Sequence, residues 1–379
     1  MSHPAFLRPS SLSLVCFLTL LLLSSPAWAG PKRLLGYYPF WAQTDTPAYS
    51  AANIPFQKLT HIAHAFLLLD KNNVGDIVVS DGLIEPLLIS NAHAAGVKVS
   101  ISIGGGDPVQ ARTFRKIAAD PAIRATFVQN VYDFVSANGY DGVDIDWEIP
   151  VNPKDTNNCI MLMQDLRNRF PAPYLLSMAI PSDPRSWGSG FDVPTLAPLL
   201  DFINVMTYDF YGPWSAHAGL NSPLFQNPAD PEQVGSLETS MDLFTNIYGV
   251  PPDKLNIGTA FYGYEFNGAQ RLWDACANCG STTFTVNYGT DIKPLINQQG
   301  WVRHRDAAAR SPYLLYQGVG GQPGFLSYDD AQSTAAKVNY VMGKRGLGGV
   351  FTWSLDADYD GVSQDLLDAM YGAVQRHQK

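Results

Sequence analysis

The stretch DGVDIDWEIP, residues 141–150, places four carboxylates within eight positions of an otherwise apolar run. Successive side chains of an extended strand point to opposite faces. Asp144, Asp146 and Glu148 therefore share one face, and the intervening Val, Ile and Trp share the other. Asp141 has the opposite parity and lies at the start of the strand, so no catalytic step is assigned to it. The pattern predicts a buried strand with a row of acids on its inner face.

A row of three acids in a protein core predicts a site of proton transfer. The three carboxylates cannot all be ionised there without a large cost, and like charges at this spacing raise the pKa of at least one. Glu148 is the last of the row, and a carboxylic acid kept protonated near neutral pH can act as a general acid. The alternative is a salt-bridged or solvated strand. Only Lys98 and Arg185 supply positive charge near the neighbouring runs, and the apolar alternation disfavours solvation.

Eight short apolar runs recur along the chain, several of them followed by a helix-like stretch. Continuous hydrophobicity is typical of parallel strands buried on both faces. The stretch 121–139 has apolar residues at three- and four-residue spacing, and 330–346 begins with Asp and ends with Gly, as helices do. The runs are 33–38, 61–69, 98–105, 142–148, 174–180, 202–208, 255–263 and 348–355.

Eight strand-then-helix units predict an α/β fold of the (β/α)8 barrel type over residues 30–379. Active sites of such barrels open at the carboxyl ends of the strands, which is where Glu148 falls. The alternative is an open doubly wound sheet, but no Gly-rich turn follows the first run. The long interval between the seventh and eighth runs predicts an inserted segment at about 265–325.

The first 29 residues resemble a secretory signal peptide. A short apolar core follows a single Arg, and Ala27-Trp28-Ala29 has the small-x-small pattern of a cleavage site. Cleavage is predicted after Ala29, which makes the mature protein secreted or periplasmic. An uncleaved membrane anchor is the alternative, although the apolar run is short for a membrane span. No later stretch is long and apolar enough to cross a membrane, so no membrane association is expected after cleavage.

Charge and cysteine content narrow the classes of partner. The chain has 25 basic and 34 acidic residues, a net charge of −9, which argues against nucleic acid and anionic membranes. Export would allow Cys276 and Cys279 to form a disulfide, with Cys159 as a packed thiol. A single CxxC is also half of a zinc site, but no second half is visible. No metal or organic cofactor is expected.

The acid-rich strand D-x-x-D-x-D-x-E resembles the signature of glycoside hydrolase family 18, the chitinases and their relatives. Other matches cover most of the mature chain. SIGG at 102–105 resembles the family's third strand, MTYD at 206–209 its sixth and GVFTW at 349–353 its eighth. Shorter matches at the first and second strands are GYY at 36–38 and AF at 65–66.

The resemblance implies retaining hydrolysis without an enzyme nucleophile, an exception to the two-carboxylate rule. Glu148 would protonate the glycosidic oxygen and later act as base on water. The substrate's own acetamide oxygen would attack the anomeric carbon. Asp146 would orient that acetamide and share a proton with Asp144. Tyr208 would donate a hydrogen bond to the acetamide oxygen, and Asp209 would contact the same sugar.

The resemblance also implies a cleft lined with aromatic side chains, because sugar rings stack on Trp and Tyr. Trp353 would lie under the distorted sugar. Core packing is the alternative for each aromatic residue, above all for Phe66 and Tyr262, and Trp147 faces outward by parity. The further substrate-binding candidates are Met206, Tyr37, Phe66, Trp214 and Tyr262.

Two departures from the family pattern concern the leaving-group side. Many members carry Trp after S-x-G-G where this chain has Gly106, and many carry Arg where it has Tyr264.

The implied function is a secreted, monomeric chitinase that cuts β-1,4 bonds between N-acetylglucosamine units. An endo-β-N-acetylglucosaminidase acting on N-glycans, a peptidoglycan-directed enzyme and a non-catalytic lectin are the alternatives. The lectin is disfavoured because Glu148 is present.

Overall fold

The computed structural model describes most of the chain apart from its N-terminal segment and a few loop residues. The predicted signal peptide, residues 1–29, lies outside the described residues except for Met1. No helix in the described part is long and apolar enough to span a bilayer. The described residues are 1, 31–184, 190–276, 279–318, 321 and 323–378.

Eight parallel strands close into a barrel. Strand β1 pairs with β2 on one side and with β14 on the other, so the main sheet has no open edge between them. The described strands are β1 (Arg33–Pro39), β2 (His61–Leu69), β3 (Ile77–Val78), β4 (Lys98–Gly105), β5 (Gly142–Trp147), β6 (Leu175–Pro181), β7 (Phe202–Met206), β8 (Leu255–Ala260), β9 (Tyr262–Asn267), β10 (Thr283–Asn287), β11 (Trp301–Asp306), β12 (Ser311–Tyr316), β13 (Gly324–Ser327) and β14 (Gly349–Trp353).

The barrel strands are β1, β2, β4 to β8 and β14, and each coincides with one of the eight predicted runs. The (β/α)8 barrel is therefore confirmed, and the open doubly wound sheet is excluded because that sheet would leave two free edges. The short β3 extends β2 as an antiparallel addition outside the closed ring.

Helices surround the barrel, and most of them begin after a residue whose side chain accepts from the free backbone N–H groups of the first turn. In the helix over Pro121–Asn138, the Asp120 side chain accepts hydrogen bonds from two backbone N–H groups, and Gly139 ends the helix with φ 76°. The described α-helices are α1 (Pro86–Ala94), α2 (Pro108–Ala119), α3 (Pro121–Asn138), α4 (Pro153–Arg169), α5 (Val193–Leu196), α6 (Leu237–Asp242), α7 (Cys279–Thr282), α8 (Ala331–Val338) and α9 (Asp365–Gln375).

Strand β5 has the two faces that its sequence predicts. All six of its residues are buried. On the outer face, the Trp147 ring stacks on Phe114 of α2, with ring centroids 5.3 Å apart. On the inner face, the parallel register places Asp144 opposite Ser102 of β4 and Ser177 of β6. The acid row therefore lies inside the barrel, beside hydroxyl groups from both neighbouring strands.

The chain segment between β8 and β14 forms a second sheet. Its five antiparallel strands have the order β10-β9-β13-β12-β11 and extend from Tyr262 to Ser327, slightly beyond the predicted inserted segment 265–325. Only Phe261 separates β8 from β9, so the apolar run of the barrel strand continues into the inserted sheet. Cys276 and Cys279 in this region are joined by a disulfide, and Cys159 is a buried free thiol.

Gly104 allows β4 to approach the acid row closely. Its φ is +113°, and a Cβ atom there would lie 2.2 Å from the backbone oxygen of Asp146 and 2.7 Å from the Phe114 ring. Both the backbone conformation and the available space therefore require glycine. Residue 104 fixes the distance between β4 and the part of β5 that carries Asp146.

We predict that Gly104→Ala destabilises the fold by at least about 2 kcal/mol, because the added methyl group must displace the backbone of β5. Urea unfolding followed by far-UV circular dichroism would measure the change. Gly372→Ala is the matched control. Gly372 lies in α9 with open space around its Cβ position, so alanine there should leave stability unchanged or raise it by up to about 1 kcal/mol. Equal effects of the two substitutions would contradict the prediction.

Candidate active site

Asp144 lies at the bottom of the acid row and is held by four hydrogen bonds. Its Oδ2 accepts from Tyr37 Oη and Ser102 Oγ, both at 2.8 Å. Its Oδ1 accepts from Ser177 Oγ at 2.6 Å and Asn204 Nδ2 at 3.3 Å. Burial raises the pKa of Asp144, and these hydrogen bonds oppose the rise. Four different barrel strands thus support one buried carboxylate.

Asp146 lies in the middle of the row, and its surroundings differ from those of Asp144. It is buried, and its Oδ1 has no hydrogen-bond partner among the described residues. Burial, followed by the charges of Glu148 and Asp144, raises its pKa well above the ordinary value. No hydrogen bond joins Asp144 to Asp146 within the described chain. Burial and the two neighbouring charges therefore favour the protonated form of Asp146, and one of its oxygens has no described partner.

Glu148 directly follows β5 at the mouth of the barrel. Burial and, secondarily, the negative charge of Asp209 raise its pKa to about 7. A Cβ atom built on Gly106 would lie 3.6 Å from Glu148 Oε2, so the glycine leaves open space beside this carboxyl group. A glutamic acid with a pKa near neutrality is suited to donate a proton and then to accept one.

Tyr208 and Asp209 follow β7 and face the acid row. The Asp209 backbone has φ 61°, and its N–H donates to Asn221 Oδ1 at 2.9 Å. Its side-chain Oδ1 accepts from Tyr262 Oη at 2.5 Å and from Tyr264 Oη at 2.9 Å. Burial raises the pKa of Asp209, and the two phenols oppose the rise. Tyr208 is also buried, and burial raises its pKa well above the ordinary value.

Aromatic rings form a continuous wall on one side of the site. The Trp353 ring stacks on Phe66, with centroids 5.5 Å apart and planes 15° from parallel. Tyr37 contacts Trp353 at 5.6 Å, and the 38% exposed Trp41 contacts both Phe66 and Trp353 at 6.0 and 6.5 Å. This row extends from the barrel interior to the solvent and offers several flat apolar surfaces.

A cavity of about 510 Å³ joins these groups at the carboxyl ends of the barrel strands. It contains nine of the residues predicted from the sequence. Asp144 lies beneath it, and Trp214 is not among the lining residues. Trp214 is 54% exposed and its ring lies 5.8 Å from Tyr264 instead. The lining residues are Tyr37, Phe66, Gly106, Asp146, Glu148, Ile149, Ala179, Pro181, Ser182, Met206, Tyr208, Asp209, Tyr262 and Trp353.

Some site residues were not predicted from the sequence. Trp41 lies two residues after the end of the first barrel strand, and that position was its only signal. Ser177 and Asn204 lie in strands whose sequence reads as core, and their role depends on the register. Tyr264 was noted only as a departure from the family pattern, whereas it binds Asp209. Within the described residues, no group of three or more His, Cys, Asp or Glu side chains could hold a metal ion.

Comparisons with known proteins agree with this geometry. The family model described as glycosyl hydrolases family 18 matches residues 33–358. Chitinase A1 of Niallia circulans is 28% identical over 90% of this chain, which spans 58% of that protein's length. Probable chitinase 2 of Drosophila melanogaster is 30% identical over 89% of this chain and 77% of the relative.

Solved structures of similar shape cover nearly the whole chain. Chitinase ChiA74 from Bacillus thuringiensis has a TM-score of 0.80 and 25% identity, over 92% of this chain and 70% of that one. A class V chitinase from Nicotiana tobaccum in complex with NAG4 has a TM-score of 0.79 and 26% identity, over 90% and 99% of the two chains. The family model, the closed barrel and the acid row that ends in Glu148 agree with one another. The chain belongs to glycosyl hydrolases family 18.

Proposed function

We propose that this chain hydrolyses β-1,4 bonds between N-acetylglucosamine units, with chitin and chito-oligosaccharides as substrates. The observation that carries the proposal is the pair Asp146 and Glu148. One is a buried carboxyl group with an unpartnered oxygen, and the other is an acid with a pKa of about 7 at the mouth of the same cavity. The resemblance to a chitinase in complex with NAG4 supports the substrate class.

The first step of the proposed reaction breaks the glycosidic bond. The sugar before the bond lies over Trp353, and Glu148 donates its proton to the glycosidic oxygen, which leaves as a hydroxyl group. The carbonyl oxygen of the sugar's own acetamide attacks the anomeric carbon and forms a cyclic oxazolinium. Tyr208 orients that carbonyl oxygen. Asp146 leaves its proton with Asp144 and turns to the acetamide N–H, which supplies the partner that its Oδ1 lacks. The negative charge that Asp146 then carries stabilises the cation.

The second step restores the enzyme. Glu148, now ionised, takes a proton from an incoming water molecule, and the water oxygen attacks the anomeric carbon from the side that the leaving group occupied. The oxazolinium opens, the acetamide re-forms and Glu148 is protonated again. Two inversions at one carbon give net retention. Asp144, held by its four donors, shares the proton of Asp146 and returns it when Asp146 turns back.

The same chemistry would serve other glycans with an N-acetyl group beside the scissile bond. An endo-β-N-acetylglucosaminidase acting on N-glycans and a peptidoglycan-directed enzyme are therefore the alternatives. A family 18 N-acetylglucosaminidase from Paenibacillus barengoltzii, with a TM-score of 0.75 and 26% identity, illustrates the range of related activities. The complete acid row argues against a lectin. We propose further that the protein acts as an exported monomer after removal of residues 1–29.

Glu148→Gln is predicted to fold normally and to lose about 10²–10⁴-fold in kcat, because glutamine cannot supply the proton to the leaving oxygen. Turnover of a chromogenic chito-oligosaccharide would measure the loss. Glu265→Gln is the control, since Glu265 is half-buried in β9 and does not line the cavity. Wild-type turnover in Glu148→Gln would remove this residue from the mechanism.

Asp146→Asn is predicted to lower kcat by about 10²–10³-fold, because a neutral amide cannot stabilise the oxazolinium charge. Asp141→Asn is the control within the same segment. Asp141 accepts hydrogen bonds from Lys98 and the Val99 N–H at the far end of the strand, so its substitution should affect stability and leave kcat unchanged. If Asp146→Asn cleaves substrates without the N-acetyl group as well as acetylated ones, the substrate-assisted mechanism is wrong.

Proton NMR of fresh products would test the reaction itself. Soluble chito-oligosaccharides should yield the β-anomer first, because retention follows from the two displacements. Appearance of the α-anomer first would exclude a retaining mechanism. If chito-oligosaccharides stay intact while N-glycan or peptidoglycan fragments are cleaved, the substrate assignment changes to the corresponding alternative.

A further inference from the structure

Asp209 is a buried carboxylate whose side-chain partners are neutral. Its Oδ1 accepts two hydrogen bonds, from the phenols of Tyr262 and Tyr264, and no described residue donates to its Oδ2. The two tyrosines lie on the same face of β9, two positions apart, so a single strand supplies both donors. Asp209 itself lines the catalytic cavity, whereas Tyr264 lies behind it and does not.

No cationic side chain of the described residues lines the catalytic cavity, whose charged groups are Asp146, Glu148 and Asp209. A smaller cavity of about 210 Å³ lies behind Asp209, and Tyr264, Thr285 and other uncharged residues complete its lining in the described chain. The two phenols are therefore the groups that compensate the burial of the Asp209 charge.

The charge of Asp209 acts on the proposed acid of the reaction. Glu148 follows β5 and Asp209 follows β7, two barrel strands that β6 separates, and both residues line the same cavity. After burial, the Asp209 charge is the next cause of the raised pKa of Glu148. The other titratable groups that face Asp209 are Tyr208, Tyr262 and Tyr264, all neutral near pH 7 because burial raises their pKa values.

We propose that Tyr264 is a positioning residue that keeps Asp209 ionised beside Glu148 and thereby sets the alkaline limit of turnover. The inference rests on the proposed function, in which Glu148 must be protonated to start the reaction. It assigns a role to a residue that touches neither substrate nor the reacting atoms and acts through a carboxylate.

The direction of the effect follows from the hydrogen bond. Removal of the Tyr264 phenol takes away one of the two donors that stabilise the Asp209 carboxylate, so Asp209 keeps its proton to a higher pH. A neutral Asp209 no longer opposes ionisation of Glu148. Glu148 then loses its proton at a lower pH, and the alkaline limb of the pH profile moves towards acid.

Tyr264→Phe is the test, because it removes the hydroxyl group and keeps the ring that contacts Trp214. A hydrogen bond to a charged group corresponds to a pKa change of about 1 unit or more. That change applies to the pKa of Asp209. The alkaline midpoint of kcat/KM for a chito-oligosaccharide follows Glu148 and should fall by up to about 1 pH unit, with a smaller loss of kcat/KM at the pH optimum. Addition of Tyr262→Phe should move it further in the same direction.

Tyr340→Phe is the matched control. Tyr340 also donates to a carboxylate, Glu238 Oε1 at 2.7 Å, but that pair lies outside the barrel. Its removal should leave the pH profile unchanged. If Tyr264→Phe lowers kcat/KM without moving the midpoint, the phenol has only a structural role and the inference is wrong, while wild-type cleavage keeps the proposed function intact.

Infrared titration of the protonated carboxyl band tests the same inference without a measurement of turnover. Burial also raises the pKa of Asp358 to about 7, so Glu148 is identified from the difference between wild type and Glu148→Gln. That difference should show one buried carboxyl group that titrates near pH 7. In Tyr264→Phe this group should titrate at a lower pH. An unchanged midpoint would overturn the inference even if no glycan tested is cleaved.

Discussion

The rest of the structure depends on one constraint, the burial of four carboxyl groups around one cavity. No cationic side chain of the described residues lines that cavity to neutralise them. An unpaired buried charge is costly, and it is usually avoided by protonation or by hydrogen bonds. This site uses both solutions. Asp144 and Asp209 receive hydroxyl and amide donors that favour their ionised forms. Asp146 Oδ1 has no described donor, and burial raises the pKa of Asp146 well above its ordinary value, which favours its protonated form. Glu148, at the cavity mouth, falls between these extremes with a pKa of about 7.

The barrel supplies what this division of charge requires. Parallel strands in register bring hydroxyl groups from β4 and β6 to Asp144, and β1 and β7 add a phenol and an amide. Gly104 lets β4 approach the backbone of β5 without a side chain between them. The electrostatics of the site are therefore a property of the closed sheet, because no single strand carries both a carboxyl group and its donors.

Much of this arrangement could be predicted from the sequence, because alternation within a strand is a local property. The eight barrel strands, the inward row of acids and the outward Trp147 follow from spacing alone. The donors of Asp144 could not be predicted in the same way, since Ser177 and Asn204 reach it only through strand register. Trp41 and Tyr264 were missed for a similar reason. One lies on a short turn after β1 and the other on an inserted strand, and neither belongs to a periodic pattern that indicates its direction. Trp214, by contrast, was assigned to the cleft on residue type, and it lies outside the lining of the main cavity.

The connection between β8 and β9 has a consequence for how such barrels can be diversified. A single residue, Phe261, separates barrel strand β8 from β9, the strand whose phenols donate to Asp209. The inserted sheet is thus not an appendage that could be exchanged as a whole. Strands β11 and β12 do not pair with β9, whereas a graft that replaces the first three residues of β9 also changes the charge balance of the catalytic cavity. The boundary between the barrel and the inserted sheet therefore does not coincide with the end of β8, because the start of β9 belongs to the catalytic cavity.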